Sequence, residues 1–315
     1  MSTLAEIAEM LAGMSRTDLT TTVRREPYPA ISPSRPELSQ AGRVVLVTGG
    51  GTGVGFAIAR AFVRASAKTI IILGRRAQVL ADAASRLEEE AKTVGSGTKI
   101  VTYPCDVVNT AEVDAVWKEI AAQGITVDVY VANVAKTTEP KPMLELGTDE
   151  VWSQVETNVK APLYLAEKFY AQPGESRKFI INVSTASIHS TTHPGVAERP
   201  AYTLSKLSGT LLFQLLAQDA PREKVQVVSF HPGLIWNDGW KSLGLSPDLF
   251  DSDELCGAFA VWLASENASF LHGRFVWASW DVDELSSGEL RKRFDEDPNW
   301  LRASIVGLNQ GLRTY

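Results

Sequence analysis

Tyr202 and Lys206 stand four positions apart in the stretch Ala-Tyr-Thr-Leu-Ser-Lys, residues 201–206. In a helix this spacing places both side chains on one face. A free tyrosine has a pKa of about 10, so it exchanges protons poorly at neutral pH. A lysine cation within about 4–6 Å favours the phenolate and lowers that pKa by roughly 1 to 3. The pair is therefore a candidate general acid and base, although tyrosine and lysine also meet at this spacing by chance.

A glycine-rich stretch, Thr-Gly-Gly-Gly-Thr-Gly-Val-Gly, occupies residues 48–55 and separates an apolar run from a helical pattern. Glycines permit a tight turn and bring the backbone close to a pyrophosphate, which then lies at the helix N-terminus. Glycine clusters are usually plain loops, but this one has the strand-to-helix context of a dinucleotide site. The predicted cofactor residues are Thr48, Gly49, Gly51, Thr52, Gly53, Val54 and Gly55.

Arg75 and Arg76 follow the second apolar run, where an NAD-binding protein normally carries an acidic residue for the ribose 2′-hydroxyl. An arginine here can instead bind the 2′-phosphate of NADP(H) through charge-assisted hydrogen bonds. The alternative is a pair of solvated arginines, but positive charge at a helix start opposes the helix dipole unless an anion is near. We therefore predict NADP(H) as the cofactor.

Asp106, with Val107 after it, follows the third apolar run, and Asn133 follows the fourth. Ligands of open parallel sheets bind at the carboxyl ends of the strands, so these residues are predicted to contact the cofactor. Asp106 would accept a hydrogen bond from the adenine amino group, or would equally cap the helix that begins near Thr110.

Strand-like and helix-like segments alternate from Arg43 onward, as in a doubly wound sheet with right-handed crossovers. The Val- and Ile-rich runs, typical of parallel strands covered on both faces, are 44–47, 69–73, 100–103, 127–131, 179–183, 225–230 and 275–277. The helical patterns are 54–66, 77–93, 111–122, 149–170, 201–218 and 252–265. We predict an α/β Rossmann-type fold, with a seven-stranded parallel sheet and helices on both faces.

Residues 1–40 read as an extension ahead of a single domain over residues 41–315. Its apolar side chains at helical spacing predict a short amphipathic helix; they are Leu4, Ile7, Ala8, Leu11 and Met14. Four prolines over residues 27–36 predict an extended linker. The tail beyond Leu285 is predicted to be helical.

The composition excludes several classes of protein. A net charge of −6 argues against general nucleic-acid binding, and no run reaches the roughly 20 apolar residues of a membrane span. The acidic N-terminus does not resemble a signal peptide. Cys105 and Cys256 lie in apolar contexts and are predicted to be buried thiols in a reducing compartment, which favours the cytoplasm.

These motifs, in this order, resemble the short-chain dehydrogenase/reductase family, with its Thr-Gly-x-x-x-Gly-x-Gly turn and Tyr-x-x-x-Lys pair. The resemblance covers about residues 43–280 and favours fungal members that act on secondary metabolites. It implies that Tyr202 is the general acid in reduction and the base in oxidation. It also implies that Lys206 lowers the tyrosine pKa and binds the nicotinamide ribose. Asn158 corresponds to the helix asparagine that holds a water in the proton relay, or else it is an ordinary polar helix residue.

Three departures from the family pattern concern the catalytic end. Thr185 occupies the slot of the substrate-orienting serine, with Ser184 beside it and Ser187 as a weaker candidate. A threonine hydroxyl donates the same hydrogen bond, although its methyl crowds the site. The loop over residues 185–202 is long, and its His189-x-x-x-His193 spacing lacks the further ligands a metal site needs, so no metal is predicted.

The third departure follows Pro232-Gly233, where the family often has a threonine that binds the nicotinamide carboxamide. Here the side-chain amide of Asn237 or the backbone at Ile235 is predicted to make that contact. The apolar residues after this point are Trp236, Trp240, Leu243, Leu245, Leu249 and Phe250. Residues 236–255 are predicted to form a segment that covers the substrate, and these apolar side chains favour a bulky apolar carbonyl compound. The alternative is that they only pack under a loop.

The leading hypothesis is NADPH-dependent reduction of a ketone or aldehyde, or oxidation of a secondary alcohol. An alternative keeps the fold but not the net redox chemistry: an isomerase, dehydratase or cyclase with structurally bound NADP. A third is a cofactor-sensing protein without turnover. The resemblance further implies a homodimer or homotetramer formed through the helices that carry Asn158 and Tyr202.

Overall fold

A computed structural model describes residues 19–305, together with Glu9, Leu11 and Gly13. Seven parallel strands form one sheet in the order β3-β2-β1-β4-β5-β6-β7. They are β1 (Val44–Thr48), β2 (Thr69–Gly74), β3 (Lys99–Pro104), β4 (Val129–Ala132), β5 (Lys178–Val183), β6 (Val225–His231) and β7 (Phe275–Trp277). The predicted doubly wound sheet is confirmed.

Helices cover both faces of this sheet. The longer ones are α1 (Gly53–Arg64), α2 (Ala77–Thr93), α3 (Thr110–Ala122), α5 (Thr148–Val155), α6 (Ala161–Tyr170), α8 (Pro200–Asp219), α10 (Asp253–Leu263) and α12 (Gly288–Glu296). Residues 19–305 also contain four short helices: α4 (Met143–Leu146), α7 (Pro194–Ala197), α9 (Asp238–Ser242) and α11 (Val282–Leu285). None of the helices in the described residues is long and apolar enough to cross a membrane.

Side-chain alternation along the strands builds two cores. In β1, Val45 and Val47 pack with α1, α2 and α10, whereas Val44 and Leu46 pack with α3, α6 and α8. Both sets are apolar because successive strand residues face opposite sides and both sides are covered. The strand order reverses between β1 and β4, which opens a crevice at the carboxyl edge there.

The structure differs from the sequence predictions in two elements that bear on the site. The helical pattern 149–170 is interrupted by a π-helical turn, Glu156–Lys160, which carries Asn158. The long loop after β5 contains a 3-10 turn, Ala186–Ile188, and the helix α7.

The proline-rich segment is not an extended linker. It forms two 3-10 turns, Pro29–Ile31 and Pro36–Leu38, and buries Ile31 and Leu38 in the core beside α1 and α10. Prolines pre-set the φ angle at the start of each turn, so the segment folds onto the domain. Of the predicted N-terminal stripe, Leu4, Ile7, Ala8 and Met14 lie outside the described residues. The predicted helix beyond Leu285 is present as α12.

Candidate active site

The glycine-rich turn leads from β1 into α1 and is held in place by its neighbours. A Cβ on Gly55 would lie 2.3 Å from the carbonyl oxygen of Gly49, so only glycine fits there. The Asn133 side-chain amide donates to the carbonyl of Thr48 at 2.9 Å, and the Thr48 hydroxyl accepts from the Asn133 N–H at 2.9 Å. These two predicted cofactor residues therefore brace the turn, and Asn133 lines the adjoining cleft as well.

A cleft of about 830 Å³ opens at the carboxyl ends of β1 to β4. The predicted cofactor residues that line it are Gly49, Gly51, Thr52, Arg75, Arg76, Asp106, Val107 and Asn133. The remaining predicted positions do not line it; they are Thr48, Gly53, Val54, Gly55, Lys206, Pro232, Gly233, Ile235 and Asn237. The cleft therefore runs from the glycine-rich turn past Arg75 and Arg76 to Asp106. The adenosine half of a bound dinucleotide would need a cleft of this extent.

Arg75 and Arg76 are exposed at this cleft. Within residues 19–305 neither guanidinium pairs with a carboxylate, although Arg76 stands at the N-cap of α2. Two unpaired cations at a helix start are unfavourable without an anion, so the geometry suits a phosphate at this point.

Asp106 is half-buried and lines the cleft, and its carboxylate accepts a hydrogen bond from the Val108 N–H at 3.3 Å. It does not cap α3. That position belongs to Asn109, whose side-chain oxygen accepts from the N–H groups of Ala111 and Glu112. The capping alternative for Asp106 is therefore wrong.

Tyr202 lies at the start of α8, and its phenol is close to the Thr185 hydroxyl. Burial raises the pKa of Tyr202 above its usual value, while the nearby Thr185 hydroxyl and the charge of Arg199 act in the opposite direction. The net direction is opposite to the one expected from the Tyr202–Lys206 spacing. Removing the phenolate from water costs more here than the nearby groups return.

Lys206 is buried on α8, and its Nζ donates to the carbonyl oxygen of Val183 at 2.6 Å. Burial lowers the pKa of Lys206 to about 8. The ammonium therefore faces the end of β5, and its own charge is destabilised by desolvation, which explains why it contributes so little to acidifying Tyr202.

Asn158 is buried in the π-helical turn, and its side chain is fully hydrogen-bonded. Its oxygen accepts from the Lys136 N–H at 2.7 Å, and its amide donates to the Lys136 carbonyl and to the Ser205 hydroxyl, each at 2.8 Å. The Ser205 hydroxyl donates in turn to the Tyr202 carbonyl at 2.9 Å. Asn158 thus joins the loop after β4 to the helix that carries Tyr202.

Ser184 and Thr185 point to different places. The Ser184 hydroxyl is buried and lies 2.6 Å from the hydroxyl of Thr210, a buried residue of α8. The Thr185 hydroxyl lies close to the Tyr202 phenol. It accepts from the Ser187 N–H at 3.3 Å as the cap of the 3-10 turn and donates to the Ser187 hydroxyl at 3.3 Å. Of the two candidates left open by the sequence, Thr185 is the one placed beside the phenol.

The segment after β6 begins with Gly233, which has a φ of +99°. The Asn237 side chain, predicted as a carboxamide contact, instead caps α9: its oxygen accepts from the N–H groups of Gly239 and Trp240. Its amide donates to the Ile235 carbonyl at 3.4 Å. The Asn237 amide is therefore already used in local structure.

The apolar side chains of the covering segment pack mainly on one another. Leu245 and Phe250 form a small cluster with Leu11, and Leu234, Trp236, Trp240 and Leu249 pack against it. The Trp236 and Phe250 ring centroids are 5.0 Å apart. The packing alternative thus accounts for most of this segment, and Leu243 is left exposed.

Aromatic rings line up where the loop after β5 meets β6 and β7. His189 packs against Phe275 and Trp277 with centroids 5.9 and 5.5 Å apart, and His231 packs edge-on against Trp277 at 4.7 Å. In the described part of the chain, no group of three or more His, Cys, Asp or Glu side chains is placed to hold a metal ion. His189 is thus a packing residue here.

Two residues of the site were not predicted from the sequence. Lys136 lines the cleft, and its Nζ contacts Glu150 at 2.8 Å and Ser153 at 2.6 Å, two residues on α5. Arg199 stands at the N-cap position of α8 without a side-chain hydrogen bond to the helix, and its charge opposes the rise in the pKa of Tyr202. A lysine directly after the Asn-Val-Ala motif and an arginine three residues before the tyrosine were visible signals, but only the fold reveals their partners.

The comparisons with known proteins agree with this geometry. Residues 43–245 match the family model for short chain dehydrogenases. A "Short chain dehydrogenase/reductase AacuD" from Aspergillus aculeatus is 31% identical over 84% of this chain and 89% of its own. The "Short chain dehydrogenase/reductase nsrO" from Aspergillus novofumigatus is 33% identical, with the same coverage. The chain belongs to the short chain dehydrogenase/reductase family, a family of oxidoreductases that use nicotinamide cofactors, and the predicted resemblance is confirmed.

Solved structures show the same fold at lower identity. The Pseudomonas aeruginosa RhlG/NADP active-site complex superimposes with a TM-score of 0.67 and 21% identity, over 77% of this chain and 97% of that one. L-sorbose reductase from Gluconobacter frateurii, complexed with NADPH and L-sorbose, gives 0.66 and 22%, over 76% and 96%.

Proposed function

We propose that this chain is an NADPH-dependent carbonyl reductase, or secondary-alcohol dehydrogenase, for a bulky apolar ketone or alcohol. The observation that carries the proposal is the placement of the Thr185 hydroxyl beside the Tyr202 phenol, at the same sheet edge as a cleft with two unpaired arginines. A hydroxyl beside a phenol can hold a carbonyl oxygen and give it a proton.

The cleft fits an NADP(H) molecule in size, backbone and charge. The glycine turn can hold the pyrophosphate, Arg75 and Arg76 the 2′-phosphate, and Asp106 the adenine. Bound NADPH supplies the hydride that reduces the carbonyl carbon. Two structural neighbours whose names state NADP or NADPH complexes support this choice of cofactor.

The chain's own residues divide the remaining work. The raised pKa keeps the Tyr202 phenol protonated at neutral pH, which is the state that donates a proton in carbonyl reduction. Thr185 orients the same oxygen. Lys206 donates a hydrogen bond to the Val183 carbonyl at the end of β5 and is the candidate contact for the nicotinamide ribose. Asn158 acts through Ser205 and Lys136, as a positioning residue.

The proton-donor role is tested by NADPH consumption against a panel of carbonyl compounds, with wild-type protein and Tyr202→Phe. The substitution removes the proton but keeps the ring, so we expect kcat to fall by roughly 10² or more while the NADPH Kd changes little. Equal rates for the two proteins would overturn the assignment.

The cofactor preference is tested by Arg75→Gln and Arg76→Gln, with Lys92→Gln as a matched control at the far end of the same helix. Each arginine bond to phosphate contributes roughly 1.5–3 kcal/mol, so loss of one should weaken NADPH binding about tenfold or more. NADH binding should change little. Parallel losses for both cofactors would contradict a 2′-phosphate contact.

The substrate proposal is supported by the fungal relatives, for which secondary metabolism is the proposed setting. The altered serine slot, with Thr185 in place of a serine, would favour the alternative without net redox chemistry. A threonine hydroxyl close to the Tyr202 phenol weakens that alternative. Product analysis without added reductant separates the two.

We also propose a homo-oligomer in the cytoplasm. Apolar side chains exposed on α6 and α8 suit a self-association face; they are Leu163, Leu204, Leu211 and Leu215. Both cysteines are free, buried thiols, as predicted, which suits a reducing compartment. Sedimentation of wild type and Leu215→Lys tests the oligomer, with a shift towards monomer expected.

A further inference from the structure

Residues 20–31 form a strap that crosses two separate segments near the carboxyl edge. On one side, Val23 pairs with Trp280 in an antiparallel bridge, and Arg24 forms an ion pair with Asp281 at 2.7 Å. On the other side, the Ser252 N–H donates to the Arg25 carbonyl at 2.9 Å. Consecutive arginines thus bind the segment after β7 and the end of the covering segment.

Arg25 makes a three-part contact with the end of the covering segment. Its guanidinium donates to the Asp251 carboxylate at 3.2 Å and to the carbonyl oxygens of Phe250 and Asp248 at 2.6 and 3.1 Å. The Asp251 side chain is only 6% exposed, so its carboxylate needs the arginine as a counter-ion.

Asp251 also binds the turn after β6 and so links Arg25 to that turn. The other oxygen of its carboxylate accepts from the Leu234 N–H at 2.8 Å, and its own N–H donates to the Leu234 carbonyl at 2.8 Å. A Cβ on Gly233 would lie 2.7 Å from that carboxylate, so the aspartate sits directly against the turn. The buried Asp251 carboxylate therefore connects the later part of the covering segment to the turn that precedes this segment.

We propose that Arg25 and Asp251 are positioning residues that hold the Pro232–Gly233 turn, and with it the covering segment, in the conformation that accepts the cofactor. The inference rests on the proposed function, because the turn is a predicted cofactor contact. Neither residue touches reacting atoms. The strap acts on the Pro232–Gly233 turn through Asp251. The N-terminal extension therefore helps to hold the active site in shape.

Hydrogen exchange of the unliganded protein and NADPH binding test this proposal together. The variants are Arg25→Gln and Asp251→Asn, and the matched control is Arg24→Gln, which breaks the neighbouring ion pair with Asp281 instead. We expect Arg25→Gln to speed amide exchange over residues 232–251 and to raise the NADPH Kd about tenfold, with kcat at saturation nearly unchanged. Arg24→Gln should leave both readouts for residues 232–251 near wild type.

The outcomes separate this proposal from the proposed function. Unchanged exchange over residues 232–251 in Arg25→Gln overturns the proposal, and faster exchange with unchanged NADPH affinity overturns the positioning role. If the wild type binds no NADPH, the proposed function fails while the exchange data still decide the strap contact. Should Arg25→Gln not fold, Arg25→Lys keeps the charge without the fork that reaches both carbonyls, and an intermediate rise in exchange is expected.

Discussion

At the scale of the residue, the catalytic end depends on which hydroxyl faces the phenol. Thr185 caps a 3-10 turn and its hydroxyl is close to the Tyr202 phenol, whereas its neighbour Ser184 bonds with Thr210 in the core. Adjacent positions after a strand point to opposite sides. One hydroxyl therefore serves chemistry in our proposal, and the other serves packing.

The two hydroxyls are expected to respond differently to removal. Thr185→Val keeps the shape but loses the hydroxyl that holds the substrate oxygen in our proposal, so kcat/KM should fall by tenfold or more, at a cost of about 1.5 kcal/mol. Thr185→Ser should keep most of the activity. Ser184→Ala should leave kcat/KM near wild type and lower the free energy of unfolding by about 1 kcal/mol.

Steady-state kinetics and urea titration of the three variants check this pair of effects. An Ser184→Ala protein with lost activity and wild-type stability would reverse the assignment.

At the scale of the element, β6 and β7 carry an enclosed histidine at the carboxyl edge. His231 packs against Trp277, and no described residue is a hydrogen-bond partner for its Nδ1 atom. Burial, with a smaller effect from His189, lowers the pKa of His231 to about 3. The end of β6 is therefore built for a neutral imidazole.

This low pKa makes stability fall in acid. Between a folded pKa of about 3 and an unfolded value of about 6.5, the unfolded chain binds a proton that the folded chain does not. The free energy of unfolding should then drop by about 2 kcal/mol from pH 7 to pH 5 through this group alone. His231→Phe should remove that part of the drop.

Urea unfolding of wild type and His231→Phe at several pH values between 5 and 8 measures the difference. Curves that stay parallel across this range would show that His231 titrates normally in the folded protein.

At the scale of the whole molecule, the strap joins the N-terminal part of the chain to the segment after β7, at one end of the sheet. The Tyr28 ring is buried in the main core and its hydroxyl accepts from the Val282 N–H at 2.8 Å. The hydroxyl also donates to the Trp280 carbonyl at 3.4 Å. Burial of the phenol raises the pKa of Tyr28 well above its usual value, so it stays neutral.

Tyr28→Phe is expected to leave the Val282 N–H buried without its acceptor. Such a loss costs roughly 1–3 kcal/mol, so the free energy of unfolding should fall by that amount. Thermal and urea unfolding measure it, and NADPH binding at low temperature should persist. A Tyr28→Phe protein of unchanged stability would indicate that the strap is not part of the cooperative fold.

Local pattern was enough to predict the fold and most of the cofactor end. Runs of Val and Ile mark strands covered on both faces, and the glycine turn and arginines follow those strands directly in the chain. The family model and the parallel sheet confirm the family and the fold, and the cofactor contacts stay predictions. These features depend on neighbours a few residues apart, which a single sequence displays.

Long-range contacts decided what the sequence left open or misjudged. Spacing alone placed Lys206 next to Tyr202, but burial reversed the expected direction of the tyrosine pKa. The proline-rich segment packs into the core because Ile31 and Leu38 meet distant helices.

By itself, the sequence determined the element order, the glycine-rich turn and the identity of the titrating groups. Only the tertiary structure decided which hydroxyl meets the phenol, how the helix that carries Asn158 bulges, and that Arg25 reaches Asp251 across 226 positions. The physical reason is that desolvation and hydrogen-bond partnership belong to the packed molecule, where groups remote in the chain share one low-dielectric environment.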